Sequence, residues 1–82
     1  MNVIPATHLT LIRARKSMEK AFKDGDWDAV KDQDVFLSAQ LAQAFDDPER
    51  NHRMLADELS KVLGLYSRLT IEMPEIALEE QA

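Results

Sequence analysis

Three aspartates at alternate positions are the first group in this sequence whose type and spacing could do chemistry. Asp24, Asp26 and Asp28 match the opening of an EF-hand loop, in which carboxylate oxygens ligate calcium. That loop also needs glycine at its sixth position and glutamate at its twelfth, where this chain has Ala29 and Val35. The pattern therefore indicates helix capping and a solvated acidic face, and we expect no metal site.

The other catalytic and metal-ligating residue types are too scattered to predict a site. The chain has two histidines, no cysteine and no HExxH motif, so it offers no recognisable zinc ligand set. Its two glycines are too far apart for a phosphate-binding loop, and no serine has a histidine placed beside it by the sequence pattern. The sequence therefore predicts a protein that is not an enzyme and binds no cofactor.

Asp34 is the one acidic residue inside an otherwise apolar helical stripe. Such a carboxylate could act as a catalytic acid or contact a basic partner. It could also pair with an arginine of a neighbouring helix and fix the packing register, the candidates being Arg13, Arg15 and Arg68. We favour the structural interpretation, because ion-pair networks are the usual alternative to a functional role for such groups.

Apolar residues recur at spacings of three and four along most of the chain, which predicts helices and no strands. The first helix should follow Pro5, which suits a first helical turn, and should run to about Lys23. The second should run from Trp27 to about Phe45. The expected core stripes of these two helices are Leu11, Ala14, Met18 and Ala21 with Phe22, and then Trp27, Val30, Asp34, Leu37, Leu41 and Ala44.

A break at positions 46–49 should separate the second helix from the third, with Asp47 as N-cap and Pro48 at the first helical position. The third helix should end near Pro74, and its expected stripe is His52, Leu55, Leu59, Val62, Tyr66, Leu69 and Met73. The predicted fold class is all-α: a short antiparallel up-down-up bundle over residues 1–74, with an acidic C-terminal tail at 75–82.

A four-residue corner should join the first two helices. Gly25 can take the positive φ that closes a helix, and Asp26 can cap the next one. Asp28 suits the dipole of the new helix, and Trp27 should bury its indole against the preceding helix. Together with Asp34, these residues are the expected structural determinants of the packing between the helices.

Composition and charge limit the classes of partner that this chain is expected to bind. The 82 residues carry a net charge of −5, which disfavours a nucleic-acid binder. Residues 8–23 hold five basic residues against one acidic, and residues 24–49 hold eight acidic against one basic, so the first two helices should attract each other. The sequence has no apolar run long enough to span a membrane and no export signal, so we expect a cytoplasmic protein.

Each helix also carries apolar residues off its stripe. Large exposed apolar patches usually mark an interface, with either a second copy of the chain or a helix of another protein laid in a groove. We expect a groove built from the second and third helices. Its candidate contact residues are Phe36, Met54, Leu63, Leu65 and Ile71.

The segment from Ala21 to Val30, with Asp34, Leu37 and the leucine-rich third helix ending at positions 66–69, resembles the FliT-type flagellar export chaperones. The resemblance covers roughly residues 8–72 and is most specific at Gly25, Trp27 and Asp28. It implies a cytoplasmic chaperone that binds the C-terminal helical region of the filament-cap protein and prevents its premature assembly. Some members also bind the flagellar transcription regulator and the export ATPase complex.

Two alternatives remain open at this point. One is a small helical homodimer that regulates a transcription factor through its acidic segment, for which strong salt dependence of binding would be diagnostic. The other is a helical enzyme of the chorismate mutase type, in which Arg13, Arg15, Lys16 and Arg68 would clamp a dicarboxylate. We rank the enzyme last, because the cations of the first helix spread around its surface.

Overall fold

Three α-helices make up the fold in the computed structural model, which describes residues 4–72. They are α1 (Ala6–Asp24), α2 (Trp27–Asp46) and α3 (His52–Glu72), and no strand occurs within the described range. The all-α prediction is confirmed, and the predicted bounds of α1 and α2 agree within one residue. The expectations for Met73, Pro74 and the tail at 75–82 lie outside the described residues.

Contacts at the two ends of the bundle fix the helix directions. At one end, Thr7 at the start of α1 donates a hydrogen bond to Asp47, just after α2. Beside it, the imidazole of His8 accepts the backbone N–H of Asn51, just before α3. The start of α1 therefore lies beside the end of α2 and the start of α3. This is the predicted up-down-up arrangement, with α1 and α3 parallel.

The core is a single cluster of apolar side chains contributed by all three helices. The backbones of α1 and α2 lie close together, and α3 packs across them mainly through its side chains. Eleven buried apolar residues form this cluster: Leu11, Ala14, Met18, Ala21, Val30, Leu37, Ala44, Leu55, Val62, Leu65 and Leu69. The predicted stripes of α1 and α2 thus supply much of the core, because spacing of three and four places residues on one helix face.

The corner between α1 and α2 has the predicted backbone. Gly25 has φ 71°, a conformation that residues with a Cβ rarely adopt, and its N–H bonds to the carbonyl of Phe22. The Asp26 side chain caps α2 by accepting the N–H of Ala29 at 3.1 Å. These local interactions end one helix and begin the next within two residues.

The burial expected for Trp27 is wrong. Its side chain is 41% exposed, and it meets Phe22 edge to face with ring centroids 5.9 Å apart. Trp27 is the first residue of α2 and sits at the end of the bundle, so the indole gains a neighbour without being enclosed. It anchors the corner less strongly than a core tryptophan would.

The start of α3 also differs from the prediction. Asp47 and Pro48 form a turn in which the Asp47 carboxylate accepts the N–H of Glu49, and α3 begins later at His52. Its cap is Asn51, whose side chain accepts the N–H of Met54 at 3.0 Å. Asparagine and aspartate cap helices about equally well, so sequence alone could not choose between two caps four residues apart.

Candidate functional site

The buried face of α3 is wider than its apolar pattern predicts. Leu55, Val62 and Leu69 form its centre, as expected, but the flanking buried positions are Glu58 and Leu65. Leu65 is only 4% exposed, so its assignment to a binding surface is wrong. Because Leu65 lies seven residues after Glu58, the two share the side of α3 that faces α1. The apolar pattern did not predict this stripe to be buried, because one of its members, Glu58, is charged.

Glu58 is buried because it forms an ion pair with Arg15 of α1. Arg15 also bonds to Glu19, one turn along its own helix. Burial lowers the pKa of the Arg15 guanidinium, but the hydrogen bonds and charges of Glu58 and Glu19 outweigh it and raise that pKa overall. The predicted attraction between oppositely charged α1 and α2 produces no ion pair between them in residues 4–72. The interhelical pair joins α1 to α3 instead.

Asp34 bonds to a tyrosine rather than to an arginine. The hydroxyl of Tyr66 in α3 donates to the Asp34 carboxylate in α2, and both side chains are half-buried. The expected pairing with Arg13, Arg15 or Arg68 is therefore wrong, although Asp34 does link two helices. Tyr66 therefore lies toward α2, on the other flank of the buried face of α3 from Glu58 and Leu65, and Leu59, seven residues before Tyr66, shares its side.

An open groove runs along this side of α3, against α2. It has a volume of about 540 Å³ and an apolar floor crossed by the hydrogen bond between Asp34 and Tyr66. Its lining residues are Asp34, Val35, Leu37, Ser38, Leu41, Val62 and Tyr66. The helices leave this space because α3 approaches α1 and α2 without close backbone contact to α2.

Two strongly exposed apolar side chains lie in or one turn from the groove lining. Val35, on the α2 side, is 73% exposed. Leu63, on the α3 side, is 60% exposed and lies one turn from both Leu59 and Tyr66. Phe45 lies one turn beyond Leu41 on α2 and is 42% exposed. The arrangement can accept the apolar face of another helix.

The five predicted contact residues do not form one surface. Leu63 is not among the lining residues but lies one turn from Tyr66, which is. Phe36 and Ile71 are exposed but do not line it, and Met54 is half-buried on the side of α3 that carries Glu58. Val35 and Leu41 are groove residues that the analysis of the sequence did not select. Val35 is an apolar residue off the predicted stripe of α2, and its spacing does not tell which side of α2 meets a neighbour.

His8 is a buried polar residue that the sequence did not single out. Its Nε2 accepts the N–H of Asn51 at 3.0 Å, and its Nδ1 lies 3.1 Å from the hydroxyl of Thr7, which donates to Asp47. These bonds leave the neutral ring with its hydrogen on Nδ1. His8 therefore ties together three chain segments at one end of the bundle, away from the groove.

Four of the other candidate chemical groups have structural partners. Asp24 pairs with Lys20 at 2.9 Å, Asp26 caps α2, and the Arg68 guanidinium lies 5.1 Å from the centre of the Phe22 ring. Arg15 is bound to Glu58 and Glu19. Within residues 4–72, no three histidine or acidic side chains are grouped so that they could hold a metal ion.

Two further findings bear on the class of protein. None of the helices in the described part of the chain has the length and apolar character needed to cross a membrane. Comparison of the chain with protein-family models, with curated proteins and with solved structures finds no match. The groove and its surroundings are therefore the basis for assigning a function.

Proposed function

We propose that this chain is a non-enzymatic binding protein that holds an amphipathic helix of a partner in the groove between α2 and α3. The observation that carries the proposal is the apolar lining of this groove, which includes the exposed Val35, with the exposed Leu63 one turn from Tyr66 of the lining. An amphipathic helix would cover both side chains and extend the bundle by one helix. Of the four cations of the enzyme alternative, Arg15 is held by Glu58 and Glu19 and Arg68 lies over the Phe22 ring, which supports binding over catalysis.

The proposed biological role is that of a cytoplasmic export chaperone of the FliT type. Its client would be the C-terminal helical region of the flagellar filament-cap protein, held back from premature assembly. The support is the resemblance at Gly25, Trp27 and Asp28, together with a groove of the kind that receives a helix. The export ATPase complex and the flagellar transcription regulator are further proposed partners on the basis of the resemblance alone.

A calorimetric titration tests this role. The purified protein is titrated with a peptide from the C-terminal helical region of the filament-cap protein, at several temperatures. We expect a dissociation constant in the micromolar range or below, with a negative heat-capacity change from apolar burial. Absence of heat at every temperature would show that the client is wrong.

A matched pair of variants locates the binding surface. Leu63→Asp places a charge one turn from Tyr66 of the groove lining, whereas Ile71→Asp places the same charge on an α3 residue that is 80% exposed and is not one turn from any α3 residue of the lining. We expect Leu63→Asp to weaken binding at least tenfold and Ile71→Asp to leave it nearly unchanged. Equal effects of the two variants would contradict the placement of the client in the groove.

A further inference from the structure

Among residues 4–72, Asp34 is the one acidic or basic residue that lines the groove. The other lining residues are apolar, apart from the hydroxyls of Ser38 and Tyr66. Asp34 thus places a carboxylate inside the surface that a partner helix would cover. The chemistry of this residue should therefore restrict which helices the groove accepts.

The carboxylate has unused acceptor capacity within the described part of the chain. One of its oxygens, Oδ1, accepts the Tyr66 hydroxyl, and no lysine, arginine or histidine nitrogen of residues 4–72 lies within 4 Å of either oxygen. A carboxylate can accept about four hydrogen bonds. In the open groove, water can satisfy the remaining positions because Asp34 is only half-buried.

A purely apolar helix would be a poor occupant for this reason. Covering the groove would strip water from the Asp34 carboxylate and leave the Tyr66 hydroxyl as its partner. Burying a charge without an opposite charge or enough hydrogen bonds carries a large desolvation cost. That cost would oppose the gain from covering the apolar side chains of Val35 and Leu63.

We propose that the partner helix carries an arginine or lysine among its apolar contact residues and that this cation meets the Asp34 carboxylate. The inference rests on the proposed function and specifies the chemistry of the partner. Arginine fits best, because its planar group can bond to both carboxylate oxygens.

Two synthetic peptides test this inference. Both are amphipathic helices of about 20 residues with leucines at spacings of three and four, long enough to form helix on binding. They differ at one position within the apolar face, which is arginine in one peptide and its neutral isostere citrulline in the other. Affinities are measured by calorimetry for the full chain and two variants.

The variants separate the Asp34 charge from the general acidity of α2. Asp34→Asn keeps the side-chain shape and an oxygen for the Tyr66 hydroxyl but removes the charge. Asp32→Asn removes the charge of an exposed α2 residue outside the groove lining. We expect the unmodified protein and Asp32→Asn to prefer the arginine peptide about tenfold or more, and Asp34→Asn to lose that preference.

Each contrary outcome has a distinct meaning. Equal binding of both peptides to the unmodified protein, or a preference that survives in Asp34→Asn, overturns the inference and leaves the proposed function standing. Binding of neither peptide to a fully helical protein overturns both. A dimer in sedimentation that Leu63→Asp converts to monomer assigns the groove to a second copy, which also overturns the inference.

Discussion

Arg15 in α1 and Glu58 in α3 lie 43 positions apart in the chain and form an ion pair inside the bundle. The same offset separates His8 from Asn51, whose backbone N–H bonds to the imidazole one heptad earlier. One heptad later, Phe22 and Leu65 line the same surface cavity. The parallel helices α1 and α3 are therefore held in register by contacts that repeat every seven residues.

We expect the Arg15–Glu58 pair to make the register sensitive to single substitutions. Arg15→Met should lower the free energy of unfolding by about 3–5 kcal/mol, because Glu58 would be left charged in a buried site. The double variant Arg15→Met with Glu58→Leu should recover much of that loss, since it leaves no unpaired charge. Urea unfolding followed by circular dichroism measures both values.

The exposed pair between Lys61 and Asp57, at 3.2 Å within α3, provides the control for this cycle. Lys61→Met should change the free energy of unfolding by less than about 1 kcal/mol, as is usual for solvated pairs. If the double variant is no more stable than Arg15→Met alone, then the unpaired Glu58 carboxylate does not destabilise the folded protein.

The two histidines should respond very differently to truncation. His8→Ala removes a buried ring and leaves the Asn51 N–H without its acceptor, so we expect a loss of about 2–4 kcal/mol. His52→Ala, at an exposed position in the first turn of α3, should change stability by about 0.5 kcal/mol or less. Nitrogen-15 spectra of the imidazoles provide a second check, with the hydrogen of neutral His8 expected on Nδ1. A hydrogen found on Nε2 would contradict the bond to Asn51.

Leu65 and Leu63 form a matched pair on the same helix with opposite expectations. Leu65→Ala should cost about 2–5 kcal/mol, because it opens a cavity in the core. Leu63→Ala should change the free energy of unfolding by about 0.5 kcal/mol or less, since the side chain is mostly solvated. Thermal unfolding measures the melting temperatures of both variants. Similar melting temperatures would contradict the assignment of Leu65 to the core and Leu63 to the surface.

Trp27 should contribute modestly to stability. Trp27→Ala loses the edge-to-face contact with Phe22, which contributes about 0.5–1.5 kcal/mol, plus part of the indole burial. The variant should therefore stay folded, with native helical content and a lower melting temperature. Gly25→Ala is the comparison at the same corner and should cost about 1–2 kcal/mol, because alanine is strained at positive φ. An unfolded Trp27→Ala protein would show that the indole is a core residue.

Stability should fall in acid partly through Asp47. The hydroxyl of Thr7 and, secondarily, the N–H of Glu49 hold the pKa of the Asp47 carboxyl below its ordinary value of 3.8. The folded chain then releases this proton more readily than the unfolded chain. The resulting stabilisation is complete above about pH 4 and is lost as the pH falls through the lowered pKa.

Thr7→Val isolates this effect because it removes the main hydrogen-bond donor to Asp47. Between pH 5 and pH 2.5, the free energy of unfolding of Thr7→Val should decline less steeply than that of the unmodified protein. This holds whether or not the two proteins differ in stability at neutral pH. Urea midpoints over this range measure the slope. Parallel curves for the two proteins would show that Thr7 does not set the pKa of Asp47.

The sequence by itself determined the number of helices, the bounds of α1 and α2, and the corner at Gly25 and Asp26. These features depend on local physics: the spacing of apolar residues, a cap within three residues and a glycine that tolerates positive φ. It also contained the apolar excess that predicted a groove between the second and third helices.

Only the tertiary structure decided how wide the buried face of α3 is and where α3 begins. Burial of Glu58 depends on its ion pair with Arg15, 43 positions away. The start of α3 at His52 accompanies the hydrogen bond from the Asn51 N–H to His8, which is also 43 positions away. A local sequence pattern predicts that a glutamate is exposed, and it cannot choose between two N-cap residues that cap a helix equally well. Leu65, which was predicted to lie on the surface, is therefore in the core, and Asp34 bonds to Tyr66. Both outcomes depend on contacts between residues that are far apart in the chain.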